Sequence, residues 1–283
     1  MPSISLDFTI VTPSLNMLAY LKRCCASVAD QEGVTLEHLV MDACSTDGAV
    51  DWLQANERVT SVIEKDNGMY DAINKGFRRA RGEILAYLNC DEQYLPGTLA
   101  FVKEFFDSHP HVDLLFGGGL LVRPDGSLIA YRKAYQTRWP YIWVSHLYVL
   151  SCSMFVRRRV IERGFLFDDD LRYNGDNQFV IHCLRNGCRA AYAKRYFSAF
   201  TMTGHNMGAG ENAKRERREF LKATPPWIRV FWHPLNVLRL IEKTLAGGYR
   251  ERFPLTYALY DAENLGARKE FIAAKASFRW KTE

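Results

Sequence analysis

No stretch of this 283-residue chain reaches the ~18 to 20 consecutive apolar residues that a membrane-spanning helix needs. The opening MPSISLDFTIVTPS has neither a basic start nor an apolar core of the signal-peptide kind, so no signal peptide is expected. The seven cysteines form no C-x-x-C pair and no zinc-type spacing; Cys24 and Cys25 are adjacent, and four residues separate Cys183 from Cys188. An odd count without a pairing pattern reads as reduced thiols in a cytoplasmic protein. The G-x-G-x-x-G, Walker A, G-x-S-x-G and H-E-x-x-H motifs are also missing. A nicotinamide-dependent dehydrogenase is thereby disfavoured, because its glycine loop should follow the first strand. That strand ends here in Thr12-Pro13-Ser14. Any nucleotide must be held by carboxylates and a cation, not by a glycine cradle.

What is present is an ordinary globular composition, 48% apolar and 24% charged, sized for one large domain or one domain with an appendage. The charge is unevenly placed. Residues 1–210 hold 22 Lys/Arg against 23 Asp/Glu, and residues 211–283 hold 15 against 9. The net positive charge therefore sits in a tail that also carries Trp227, Phe231, Trp232, Phe253, Tyr257 and Trp280. A boundary near residue 210 is expected, with a further division of 1–210 at about 117.

Apolar runs alternate with helical patterns along the first part. Residues 7–12, 37–44 and 59–65 and the stretch ILAYL (84–88) read as strands. Between them, Leu18, Leu21, Cys25 and Val28 recur at helical spacing, as do Ala72, Ile73, Gly76, Phe77 and Ala80. This predicts βαβ crossovers, a Rossmann-like α/β fold and a mainly parallel sheet flanked by helices. Residues 111–132 predict a strand and hairpin turning at Pro124-Asp125-Gly126, with the triple glycine at 117–119 permitting close strand packing. Residues 165–187 read as a polar loop passing into a helix with Phe179, Val180, Cys183 and Leu184 inward, and 189–203 as a strand.

In such sheets chemistry gathers beyond the C-terminal strand ends. Asp42, Asp66 and Asp91 each fall at one. Asp91 and Glu92 side by side repel one another, which a cation relieves. Hard oxygen ligands suit Mg²⁺ or Mn²⁺ bridging two phosphates. Asp176 fits either a helix N-cap or a general base. His205 fits a metal ligand, a phosphate contact or a plain loop residue.

In order, FTIVTPSLN, MDACSTDGA, EKDNGMYDAINKGFRRARGEILAYLNCDE and NGDNQF resemble the successive motifs of the family 2 glycosyltransferases, which have the GT-A fold. The resemblance covers roughly residues 7–205 and is similar to bacterial members that build cell-surface glycans. It implies that Thr12, Pro13, Ser14 and Asp42 hold the nucleoside, uridine above all, and that Asp66 faces the nucleotide side. It matches Asn74 and Gly76 to the following helix. Asn89-Cys90-Asp91 stands for the D-x-D metal motif, with Asp91 as metal ligand and Asn89, Cys90 and Glu92 near the donor diphosphate. Asp176 matches the catalytic base. The implied reaction is an inverting transfer of a sugar from a nucleotide-sugar donor to a glycan or lipid-linked acceptor. Two positions depart from the pattern: Asn89 replaces the first acid of D-x-D, leaving Glu92 to compensate, and Gly175 replaces the acid before Asp176. Asp168, Asp169 and Asp170 stand in reserve as bases.

The aromatics Trp139, Tyr141, Trp143 and Tyr148 are suited to stacking on sugars. A nucleotidyltransferase is disfavoured, since its basic glycine loop is absent; a degenerate glycan-binding relative is the alternative. In the tail, Trp227, Val230, Phe231, Leu235, Leu238 and Ile241 lie near one face, with Pro234 expected to split two short helices. Such a helical appendage can pack on the catalytic domain or lie on an anionic membrane surface at the cytoplasmic face. Nucleic acid is not an expected partner.

Overall fold

The alternation of Phe8, Ile10 and Val11 along β1 (Leu6–Ser14) serves two cores at once. Phe8 and Ile10 join one hydrophobic cluster and Val11 the other, on opposite faces of the sheet. β4 (Gly82–Tyr87) repeats the device, with Ile84 and Ala86 on the first side and Leu85 and Tyr87 on the second. Strands buried on both faces are the mark of a sheet covered by helices. The computed structural model describes residues 6–204 and 211–279.

β2 (Leu36–Asp42) and β3 (Thr60–Ile63) complete the parallel half, in the order β3-β2-β1-β4. Beyond β4 the sheet continues through β8 (Met154–Arg157), β6 (Leu114–Val122), β9 (Ala190–Thr201) and β5 (Glu92–Tyr94), with β7 (Leu128–Arg132) paired to β6. β8, β5 and β7 run against their neighbours, and the remaining six strands share one direction. Helices α1 (Leu18–Ala29) and α4 (Thr98–Ser108) supply Cys24, Val28, Leu99, Val102 and Phe106 to one face. On the other lie α3 (Met69–Arg79), α5 (Trp139–Val144), α6 (Arg158–Glu162) and α7 (Gly175–Arg185). A short α2 (Ala49–Gln54) covers β2 and β3. The triple glycine lies within β6, where a Cβ on Gly117 would stand 2.0 Å from the Phe197 ring. Close packing is its role, as expected.

The tail begins as three helices, α8 (Glu211–Lys222), α9 (Pro226–Val230) and α10 (Trp232–Leu245). The break falls at Phe231 and not at Pro234. Pro234 is the third residue of α10, where a missing N–H leaves no hydrogen bond unmade. Phe220 and Ile228 enter the α3/α5/α7 core, and Phe220 stacks on Trp143 with ring centres 4.2 Å apart. After the helices the chain adds an antiparallel pair, β10 (Leu255–Leu259) and β11 (Lys269–Ala273), which the periodicity of the tail does not announce. Its Tyr257, Leu259 and Phe271 cover Leu120, Val122 and Tyr131 of β6 and β7. Among the described residues, no helix is long and apolar enough to cross a membrane.

Candidate active site

The C-terminal ends of β1 and β4, the loop after β3 and the start of α7 enclose a cleft of about 970 Å³. Pro13, Ser14, Asp66, Asn89, Cys90, Asp91, Glu92 and Asp176 all line it. Three carboxylate-bearing segments distant in sequence thus meet at one opening.

Asp176 is the second residue of α7, whose cap position is Asn174; it is therefore inside the helix and does not cap it. The first-turn N–H groups favour a negative charge there. The Tyr87 hydroxyl donates to Asp176 Oδ1 at 2.5 Å, and the Asp176 N–H donates to the Tyr70 hydroxyl at 3.3 Å. Burial raises the Asp176 carboxyl above its usual range, against the lowering pull of the Tyr87, Tyr70 and Ser151 hydroxyls. Gly175 precedes it because a Cβ at that position would meet the Tyr70 ring at 2.5 Å. The acid absent from Gly175 has no space to occupy.

At the end of β4, Glu92 turns its carboxylate into the chain, where Oε2 accepts the Asn89 N–H at 2.7 Å. Burial, and then the neighbouring Asp91 charge, push its pKa up to about 8. Glu92 lines the cleft with one of its oxygens committed to the Asn89 N–H. Cys90 is buried and its thiol, pushed far up by burial, donates to the Pro13 carbonyl, tying the end of β4 to that of β1. Asn89 Oδ1 is buried with no hydrogen-bond partner. An orphaned hard oxygen beside Asp91 at the cleft wall fits a divalent cation, although among the described residues no three His, Cys, Asp or Glu side chains gather as a ligand set. His205 lies outside the described residues.

Three expected nucleotide contacts stand behind the cleft wall. Asp42 is fully buried and accepts hydrogen bonds from the Ser14 hydroxyl at 2.8 Å, the Ser45 N–H at 2.7 Å and the Ser45 hydroxyl at 2.8 Å. It shapes the loop that presents Ser14. The Thr12 hydroxyl pairs with His38 Nε2 at 2.8 Å, deep in the sheet, where burial lowers the His38 pKa to about 4 and keeps the ring neutral. Asn74 commits its amide to the backbone of Phe167, donating to the carbonyl at 2.9 Å and accepting the N–H at 3.0 Å. Asp66 does reach the cleft, and its Oδ1 accepts the Gly68 N–H at 2.8 Å.

The expected sugar platform is also corrected. Tyr148 stacks on Tyr135, Trp143 on Phe220, and Trp139 meets Trp227 edge-on. Tyr141 is buried in the same core, and none of the four lines the cleft. The residues that do line it, and that periodicity passed over, include Tyr70, Ser151, Arg172 and Tyr173. The one available signal was the hydroxyl of Tyr87 within an apolar strand, since a buried tyrosine hydroxyl needs a partner.

Glu216 of α8 takes the N–H groups of Arg172, Tyr173 and Asn174 on its two oxygens, at 2.8, 2.9 and 3.1 Å. These are the last three residues before α7, so a tail helix holds the loop that delivers Asp176.

The fold is that of the GT-A glycosyltransferases. TarS 1-349 of S. aureus, solved in complex with UDP-GlcNAc, is 15% identical with a TM-score of 0.62, over 94% of this chain and 99% of that one. The chain spans 60% of a longer TarS chain. The mannosyltransferase PcManGT of Pyrobaculum calidifontis, solved with GDP-Man and Mn²⁺, is 21% identical with a TM-score of 0.57, over 87% of this chain and 77% of that one. Within this class the chain belongs to glycosyl transferase family 2, whose pattern matches residues 9–195. A PGL/p-HBAD biosynthesis glycosyltransferase of Mycobacterium bovis is 29% identical over 235 residues, 79% of this chain and 86% of that protein.

Proposed function

We propose that this glycosyltransferase moves a sugar from a nucleoside diphosphate, a UDP-sugar in the first instance, to a hydroxyl of a glycan or lipid-linked acceptor, inverting the anomeric centre. The observation that carries the reading is the Asp176 carboxylate, half-buried and tyrosine-held, in the same cleft as Asp91. Asp176 takes the proton from the acceptor hydroxyl as that oxygen attacks the anomeric carbon, and the nucleoside diphosphate leaves on the opposite side. The Tyr87 hydroxyl holds the carboxylate in place through its hydrogen bond to Oδ1. Asp91 with Asn89 Oδ1 would hold Mn²⁺ or Mg²⁺, which supplies charge neutralisation to the departing diphosphate. Support for a nucleotide donor comes from the UDP-GlcNAc and GDP-Man bound by the two solved relatives. Support for cell-surface glycan synthesis comes from the biosynthetic names of the curated relatives.

A thermal-shift series with UDP, GDP, dTDP and CMP, each with Mn²⁺, Mg²⁺ or chelator, tests the donor. One nucleoside diphosphate should stabilise the protein only with metal; at 100-fold excess over Kd the gain is ~2.7 kcal/mol. Stabilisation that survives chelator would remove the cation from the reading, and silence towards every nucleotide would favour the glycan-binding alternative.

The raised Asp176 pKa gives kcat/KM an acid limb, because only the deprotonated carboxylate accepts the proton. Activity falls as pH drops through that pKa, above the usual ~4 of an aspartate. Tyr87→Phe removes a hydrogen bond that favours the charged form, so the limb should move to still higher pH. A limb that stays in place or moves down would contradict Tyr87 as the partner of the base.

Glu216 acts on the reaction as a positioning residue. Glu216→Ala should lower kcat on the order of ten-fold with donor KM unchanged, since misplacing the loop misorients the base without touching the nucleotide. Glu216→Gln, which keeps an acceptor oxygen, should recover part of the loss. Equal losses in both variants, or a donor KM that rises instead, would count against the clamp.

A further inference from the structure

α10 is folded inside out. Its charged side chains, Arg239, Glu242 and Lys243, all engage the body of the protein. Glu242 pairs with Arg138 at 2.7 Å, Arg239 reaches the Tyr135 hydroxyl at 3.4 Å, and Lys243 Nζ lies 4.4 Å from the Tyr249 ring centre. With Trp232, Leu235 and Ala246, which pack on the core, they make one seam at helical spacing. The opposite side carries Val237 and Leu238, each 53% exposed, Ile241 at 50% and Leu245 at 81%. No charged residue interrupts it. Trp227, Val230 and Phe231 of the adjoining α9 segment are exposed too and lengthen the strip. A surface helix in water ordinarily does the reverse, and an apolar strip of this extent marks an interaction surface.

The charge beside the strip says what covers it. The Arg229 guanidinium donates to the Lys222 carbonyl, which places two exposed basic residues along its α9 end. α8 also carries exposed Arg215, Arg217 and Arg218 against one exposed acid of its last turns, Glu219, which pairs with the Lys222 ammonium at 2.8 Å. Two copies meeting on this face would set like charges against each other, whereas an anionic bilayer complements them. We propose that the α9–α10 strip seats the protein in the plane of an anionic lipid surface. Ile241, Leu245 and their neighbours enter the boundary between headgroups and acyl chains, and Arg229 and Lys222 meet the lipid phosphates. The seat holds whether or not the transferase reading is right, since it is measured without any substrate.

The full chain is spun down with vesicles of phosphatidylglycerol and phosphatidylcholine, or of phosphatidylcholine alone. Sedimentation with the anionic vesicles is expected, with weaker binding to the neutral ones and at raised salt. The triple variant Val237→Ser, Ile241→Ser, Leu245→Ser should lose on the order of ten-fold in partitioning, while its melting temperature stays near that of the parent because these side chains support no core. A parent that remains in the supernatant, or a triple variant that sediments equally well, would overturn the seat. A dimer in light scattering that the triple variant abolishes, without vesicle binding, would assign the strip to a second copy instead. A double variant, Lys222→Ser with Arg229→Ser, should weaken binding to the anionic vesicles alone; equal weakening towards neutral vesicles would remove the headgroup contact.

Discussion

Asp176→Asn is expected to lower kcat by roughly 10³-fold, within the range that a positioned general base supplies. The substitution is nearly isosteric. The amide oxygen can still accept from Tyr87, and the backbone N–H still donates to Tyr70, so the start of α7 keeps its place. Only proton acceptance is lost, a difference of ~4 kcal/mol in the transition state. Donor affinity, read by thermal shift with nucleoside diphosphate and metal, should be unchanged, which separates lost chemistry from lost binding. The acid limb of the pH profile should vanish with the carboxylate. Retention of activity within ten-fold of the parent would place the base elsewhere, with Asp168, Asp169 and Asp170 next in line.

The largest effect on stability is expected at Gly82. A Cβ there would stand 2.2 Å from the Phe8 carbonyl carbon and 2.3 Å from the Thr9 nitrogen, both main-chain atoms of β1. No side-chain rotation relieves such a contact. The Gly82 N–H also donates to the Thr9 hydroxyl at 2.8 Å, within a network that carries Glu37 and Arg81. Gly82→Ala should therefore force apart the β1–β4 pair at the centre of the sheet, costing about 3 kcal/mol or more. Against a total stability of ~5 to 15 kcal/mol, the melting temperature should fall by roughly 10 °C. A shift under about 2 °C would mean that the strands slide without loss, which the packing on both faces of β1 argues against.

β1, β2 and β4 of the parallel half were legible because they bury both faces and so read as apolar runs, while α1 and α3 carry a 3.6 period. The strand-end rule located Asp66 and Asp91 for the same reason: it depends on topology, and the topology followed from the alternation. Asp42, also at a strand end, and Asn74 stand behind the cleft wall, because each commits its polar atoms to partners that no local pattern reveals. The Asn74 clamp spans 93 residues, and Glu216 meets its loop across 42 to 44. Helical spacing likewise found an apolar stripe in the tail but not the direction it faces. It grouped Leu235 with Leu238 and Ile241, whereas Leu235 packs inward and the other two stand in solvent. The aromatics at 139–148 misled by composition: large rings suit a sugar platform and a core equally, and here the core has them.

The step in charge near residue 210 invites treating residues 211–283 as a detachable module, and the packing forbids it. Phe220 and Ile228 belong to the same core as Tyr70 and Tyr87, and three N–H groups ahead of α7 end on Glu216. A shortened chain ending at that boundary would bare the ring of Trp143 and leave those donors to water. Grafting this tail onto another transferase, or exchanging it for a relative's, would thus alter the loop that carries Asp176 into the cleft and not merely the outer surface. For this chain, the unit that evolution or an engineer can trade is the sheet together with its last helices.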